Sequence, residues 1–448
     1  MAALVAWTGV VSPAAAQERG ITLLRDAETE AYLRQVTTPI FNAAGIEPGA
    51  VTIYLVNDEE MNAFVSGGQN LFLNTGLIAA AELPNELNGV IAHETGHMAG
   101  GHLTRGPGGG GSVPTIVGMV LGIGAMIAGA PDAGQAIIAG STTIAQRNIL
   151  AYSRVQEASA DQAAARFLEK AGQSGKGLVT FFDRLRDLEV MSSRNIDPFI
   201  QSHPVSAERM RSLQAKVEAS PYYNKEDPPG EVAQLDLIRA KIHGFLDPVD
   251  VGLRRFPVSD KSAPARYARS VLYFRQGSLG AAQAEVNSLI AEQPKNPYFL
   301  ELKGQELYES GSIEAAVAPY AAAVAAAPDQ PLIRTGYGQA LVAAAEAKND
   351  AAMTEKAAAE LRRAVDAEPG LPMAWQALGQ AYSAQGKLGL AELATAEMYF
   401  NVGAVGPAME FALRARNKLD KGTVPYNRAT DILQVARASG LKGQRGRN

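Results

Sequence analysis

A spacing of 34 residues runs through the second half of this chain. Gly277 and Gly311, Ala282 and Ala316, and Pro294 and Pro328 are each 34 apart, and Pro369 follows Pro328 by 41. A period of that length fits one helix–turn–helix unit per repeat, with small residues where paired helices touch and Pro where the second helix stops. One unit cannot bury its own apolar face, so units must stack into a solenoid with a concave surface for a peptide or partner. The longer interval implies an insertion of seven residues, which "AEAKNDAAMTEK" (345–356) accommodates.

The register is marked over 264–400 and weaker over 231–263 and 400–436. "WQALGQAY" (Trp375, Leu378, Gly379, Tyr382) resembles the W-x2-L-G-x2-Y opening of a tetratricopeptide repeat, and 297–328 carries Gly304, Ala316, Tyr320, Ala323 and Pro328 at matching offsets. The expectation is an all-α tetratricopeptide-repeat solenoid over 231–436, then a disordered tail at 437–448. The polar, Pro-rich "PYYNKEDPPG" (221–230) reads as the linker before it. At 448 residues the chain exceeds one ordinary core, so 17–220 is expected to form a separate domain.

Composition narrows what that domain can do. Net charge is −5 with no sizeable block of Lys or Arg, which argues against nucleic acid as a partner. There is no cysteine, so thiolate catalysis, disulfides and Cys-ligated zinc are excluded, and any metal must be held by His, Asp or Glu. The uncharged "MAALVAWTGVVSPAAA" (1–16) ends in an A-x-A pattern and reads as an export signal lacking its basic start.

Within 17–220, residues 20–48 read as an amphipathic helix with Leu23, Leu24, Ala27, Tyr32 and Leu33 at helical spacing. "VTIYLVND" (51–58) reads as a strand, and 61–78 as two extended runs around Gly67-Gly68, a hairpin signal. "ELPNELNGVIAHETGHMAGGHL" follows as a helix of about five turns. From Gly106 to Pro131 no side chain is charged. The apolar run at 113–130 has eighteen residues and four glycines, short of the roughly 20 that a span needs. The segment 106–146 is therefore expected to form a lid or membrane-surface element.

Three of the five histidines lie in "HETGHMAGGH". On a helix, His93 and His97 share a face one turn apart, so both imidazoles can reach one metal ion, with Glu94 beside it as general base. A third ligand is needed. His102 sits on another face of a continuous helix and suits a structural or helix-end role. "YSRVQEASADQAAARFL" (152–168) reads as a helix carrying Glu157 and Asp161 one turn apart. Glu157 would complete a His2Glu site, and Asp161 would fix the tautomer of a ligating histidine.

"HETGH", then "EASAD" some 60 residues on, then "SHPVSAERM", resembles the zinc peptidases grouped with CAAX prenyl proteases and heat-shock protease X. "NAFVSGGQNLFLNTGLI" is similar to that family's extended stretch before the metal helix. The resemblance implies an α+β, zincin-like metalloprotease domain, mostly helical with a small sheet. It implies one Zn2+ per chain on His93, His97 and Glu157, Glu94 as base, and Gln69, Asn70, Leu71, Phe72 and Leu73 pairing with substrate as an added strand. His203 and Arg209 match the family's H-P-x4-R. They are expected either to stabilise the tetrahedral oxyanion or, for His203, to fill the open metal position and hold the enzyme latent. Implied too are a periplasmic location, misassembled protein substrates, and an envelope assembly machine docked on the repeats. Two alternatives stand beside this: a chaperone or scaffold acting through its repeats, and an integral membrane protease with 113–145 embedded.

Overall fold

The computed structural model describes residues 22–102, 154–191, 203 and 206–445. The expected export signal and the Gly-rich 106–146 segment lie outside the described residues.

The described residues open with a short strand, β1 (Leu23–Leu24), where the sequence predicts a helix. Helix α1 (Ala27–Ala44) begins only after Asp26, whose carboxylate accepts the Thr29 amide at 2.8 Å, and it ends at Gly45 with φ 74°. That N-cap resets the backbone and leaves Leu23 and Leu24 extended. Strands β2 (Thr52–Val56), β3 (Ala63–Ser66) and β4 (Asn70–Asn74) complete a sheet in the order β1-β2-β4-β3. Gly67 and Gly68, at φ 58° and 98°, turn the β3–β4 hairpin. β4 pairs with β3 antiparallel and with β2 in parallel register, Thr52 opposite Asn70. Both of its backbone edges are thus used. The expectation that 69–73 offers an edge to substrate is overturned; among the described strands β3 is the outer one on that side.

Behind the sheet, α2 (Thr75–Ala80) leads into α3 (Pro84–Gly100), which Pro84 starts and Gly101 stops at φ 61°. Leu87, Val90, Ile91 and Ala92 of α3 are buried with Tyr32, Leu33, Ile40 and Phe41 of α1. Each large apolar side chain contributes about 1.5–3 kcal/mol to that core. Helices α4 (Arg154–Lys170), α5 (Lys176–Met191) and α6 (Ala207–Glu218) close the other side. Two glycines permit the packing on α3. A Cβ on Gly89 would lie 2.6 Å from the Leu178 Cβ, and one on Gly96 would lie 2.8 Å from the Ala160 carbonyl oxygen.

The Pro-rich stretch is no free linker. Ser174 donates to the Tyr223 carbonyl at 2.7 Å, and Asp227 accepts the Asn85 amide at 3.1 Å. The next helix, α7 (Pro229–Leu246), sends Leu235 and Ile238 into the core just described. Helical pairs then continue: α8 (Val249–Arg255), α9 (Ala263–Arg275), α10 (Leu279–Glu292), α11 (Pro297–Glu309), α12 (Ile313–Ala326), α13 (Pro331–Lys348), α14 (Ala351–Ala367), α15 (Pro372–Ala384), α16 (Leu388–Asn401), α17 (Val405–Lys418) and α18 (Val424–Arg445). The domain is a mostly helical repeat solenoid. The seven inserted residues lengthen α13 and α14 to 18 and 17 residues around Asn349, at φ 52°. The tail expected from 437 instead continues α18, which Ile432, Leu433 and Ala436 anchor on α17.

The solenoid meets the N-terminal part at the start of α1. Lys241 of α7 pairs with Asp26 and Glu28, Tyr267 donates to Glu28 at 2.7 Å, and Arg25 reaches Glu368 at 2.7 Å. Ala27 packs with Leu300, Ala323 and Ile333.

Candidate metal centre

Helix α3 presents His93 and His97 on one face, and both are fully buried. Gly96 lies between them, and its bare backbone lets α4 approach at Ala160. Glu157 is one turn earlier on α4, and so reaches the same point. His203 comes from the segment before α6. These four residues bring one donor atom each within 4.8 Å of one another.

Their spacing is informative. His93 Nε2 lies 3.1 Å from His97 Nε2 and 3.3 Å from His203 Nδ1. Glu157 Oε1 lies 3.2 Å from His97 Nε2 and 3.0 Å from His203 Nδ1, while Oε2 lies 3.5 Å from His93 Nε2. A tetrahedral ion with bonds of about 2.0–2.1 Å would set its donors about 3.3 Å apart. The other ring nitrogens point outward to protein: His93 Nδ1 is 3.0 Å from Asp161 Oδ1, and His97 Nδ1 is 3.0 Å from His102 Nδ1. Two imidazole nitrogens 3.1 Å apart must share either a proton or a metal ion between them. The donor set therefore fits a metal ion.

Asp161 is held in turn. Arg209 donates to it through Nε at 2.8 Å and Nη2 at 2.9 Å, and the same Nη2 lies 2.9 Å from Glu157 Oε2. Both carboxylates engage this guanidinium, which ties Asp161 and Glu157 together. Helix α6 sets the arginine in place, since Ser206 caps it by accepting the Arg209 amide at 3.2 Å. His203 likewise joins the ligand cluster through Nδ1 and turns Nε2 toward Glu94 Oε1 at 3.4 Å. Of the two roles expected for it, this is the geometry of the latent one.

Electrostatics follow from burial and pairing. Burial pushes Glu94 up to about 8, with the His93 charge pulling down against it. For Glu157, burial also acts upward, but hydrogen bonds from His203, His93 and His97 prevail and hold it ionised far below the usual carboxylate range. His97 is lowered to about 3, chiefly by burial, so it stays a neutral ligand. The Val65 backbone of β3 lies near enough to pull the Glu94 carboxyl downward, which puts the outer strand beside the expected base.

His102 belongs to this site in a way its helical angle hides. Gly101, left-handed at φ 61°, turns the chain back, and a Cβ on Gly100 would lie 2.4 Å from the His102 ring. The bare Gly100-Gly101 corner lets His102 return against His97. Gln156, beside Glu157, donates to the His102 carbonyl at 3.2 Å and ties that corner to α4. The two glycines were the available signal. Gly96 and Ala160 were equally visible as small residues, but only packing gives them their part.

Two buried histidines four apart on one helix, a glutamate from a second helix and a further glutamate beside them define a metallopeptidase-type centre. A model of peptidase family M48 matches residues 27–217. The metalloprotease LoiP of Escherichia coli is 32% identical over 199 residues, 42% of this chain and 71% of that protein. The chain belongs to peptidase family M48. The β-barrel assembly-enhancing protease of Yersinia pestis is 25% identical over 348 residues, covering 74% of this chain and 68% of that protein. Its Escherichia coli counterpart is 23% identical over 292 residues, covering 62% of this chain and 58% of that protein. Among the described residues, no helix is long and apolar enough to cross a membrane.

Proposed function

We propose that this chain is a zinc-dependent metalloendopeptidase of the Gram-negative periplasm, acting on misassembled outer-membrane proteins. The observation that carries the reading is the buried set of His93, His97, Glu157 and His203 donors, within 4.8 Å of one another, with Glu94 against it. His93, His97 and Glu157 would hold one Zn2+ per chain. Bound there, zinc would supply a Lewis acid that acidifies water and polarises a peptide carbonyl. Glu94 takes the proton from that water and returns it to the leaving amine. Asp161 fixes the His93 tautomer, and Arg209 orients Asp161 and Glu157. Substrate lies extended along the outer edge of β3, its backbone near Glu94.

The helical pairs are read as tetratricopeptide repeats that gather substrate or dock on an envelope assembly machine, and 106–146 as a lid or membrane-surface contact. The periplasmic setting and the substrate class rest on the named relatives.

The deciding experiment pairs metal analysis with turnover. Glu94→Gln should keep one zinc per chain and lose peptide-bond cleavage; a variant that still cleaves would end the reading. Glu157→Ala should lose the metal.

A second reading draws support from His203, which fills the fourth corner and leans on Glu94: a scaffold whose peptidase site is mostly shut. It predicts that Glu94→Gln supports envelope function fully in cells. It predicts also that His203→Ala keeps the metal yet gains cleavage.

A further inference from the structure

Among the described residues of the solenoid, Glu306, Glu392 and Glu397 are the buried acidic side chains. Glu392 is held by Arg414 and Lys418, and Glu397 by Arg428. Glu306 of α11 is fully enclosed and meets no cation among the described residues. Its partners are neutral. Ser270 Oγ of α9 lies 2.7 Å from Oε1, and Gln283 of α10 donates to Oε2 at 2.7 Å.

The proton count calls for a neutral carboxyl here. Ser270 Oγ also lies 2.9 Å from the Ala282 carbonyl oxygen of α10. A hydroxyl carries one proton, so it donates to only one of these two oxygens. Both contacts are hydrogen bonds only if Glu306 supplies the second proton: Ser270 then donates to Ala282, and the Glu306 carboxyl donates to Ser270. An ionised Glu306 would leave two acceptor oxygens pressed on one hydroxyl, with a buried charge unpaired.

The charged groups on the surrounding helices are engaged elsewhere. Arg269, beside Ser270 on α9, is turned onto Glu285 of α10 and the Pro257 and Asp260 carbonyls. Arg334 of α13 is held by Glu360 and the Pro328 carbonyl, and α12 brings the neutral phenol Tyr320 against Gly304. On α11 itself, Glu301 faces the Lys241, Asp26 and Glu28 charges. Burial raises Glu306 from its ordinary 4.5 to about 7, against the Ser270 and Gln283 hydrogen bonds. A carboxyl raised on folding stabilises the fold most in acid. That contribution fades as pH climbs from about 4.5 to about 7 and is gone beyond.

Two of these helices also reach the N-terminal part. Tyr267, one turn before Ser270 on α9, donates to Glu28, and Leu300 of α11 packs with Ala27. We propose that the proton on Glu306 latches α9, α10 and α11 together, and that its loss toward the alkaline side loosens the repeats where they hold the start of α1. The latch acts on the joint and is independent of the metal chemistry.

Amide hydrogen exchange on the full-length chain, corrected for the intrinsic rate, tests this between about pH 5 and about pH 8. In Glu306→Gln the side-chain amide donates to Ser270 and its carbonyl accepts from Gln283, so the contacts are kept without a titrating group. Protection of α9 and α11 in the wild type, relative to that variant, should fall about tenfold per pH unit up to about pH 7 and then level off. The first turn of α1 should follow the same curve. Glu28 and Glu301 titrate alike in both chains and cancel. Gln283→Lys, which sets an ammonium beside Oε2, should abolish the fall. The infrared carbonyl stretch of a neutral carboxyl, stronger near pH 5 in the wild type than in Glu306→Gln, reads the proton directly. Parallel exchange curves for wild type and Glu306→Gln would overturn the latch, and a fall confined to α9 and α11 would overturn its reach to α1.

Discussion

Two helix pairs, α3–α4 in the peptidase part and α13–α14 in the solenoid, solve the same packing problem with the same residue. In each, a glycine lets the second helix come close: Gly96 against the Ala160 carbonyl, and Gly338 against Leu361, whose Cγ would lie 2.4 Å from an added Cβ. In the solenoid the gain is an apolar seam. In the peptidase part the same closeness brings a carboxylate on α4 to two imidazoles on α3. Small residues at a helix crossing therefore say that helices touch; the polar residues one turn away say what the contact is for.

Substitution at the two glycines should separate these uses. Gly96→Val should push α4 and its Glu157 away from the two imidazoles and sharply lower the metal bound per chain, because a ligand leaves the set. Gly338→Ala should destabilise by about 1–3 kcal/mol through overpacking, with metal content unchanged. Elemental analysis beside thermal melting reads both, and metal loss in the solenoid variant would break the contrast.

The seam between the two regions comes next. Lys241 is 7% exposed and neutralises Asp26 and Glu28. Lys241→Ala leaves the buried Glu28 and the part-buried Asp26 without their cation and should cost about 3–5 kcal/mol at neutral pH. The deficit should shrink as pH falls, beginning above the ordinary carboxylate range, because burial pushes Glu28 up and protonation removes its stranded charge. A penalty independent of pH would mean that packing, not charge, joins the regions.

The smallest effect sharpens the peptidase side alone. His102→Ala should weaken metal binding about 10–100-fold in chelator competition, because His97 loses the partner that fixes its ring. His102→Gln should recover part of it through its side-chain carbonyl. No change in either variant would reduce the Gly100-Gly101 corner to a helix end.

Much of the solenoid was legible because its information is local. Pro297, Pro331 and Pro372 begin helices at the repeat interval, and Gly277 and Gly311 turn between them at φ 80° and 83°. Periodicity reports such features directly. The site is different: His93 and His203 are 110 residues apart, so only motif order could suggest that they meet. Strand pairing was the least accessible. The run 69–73 reads as an extended segment by composition, yet its neighbours are set by where β2 lands, and no local pattern encodes that β4 is internal and β3 outermost. Likewise motif order places Arg209 at the site, but only packing shows that Asp161 and Glu157 share it.

Leu235 and Ile238 have a consequence for anyone dissecting this protein. Severing the chain at the Pro-rich turn would yield a peptidase fragment missing two side chains from its own hydrophobic interior, and a repeat fragment exposing them. Neither half would be expected to behave as a well-folded unit. Nor does a cut after Leu246 spare the repeats, because Ala240 of α7 is buried with Ala268 and Leu272 of α9.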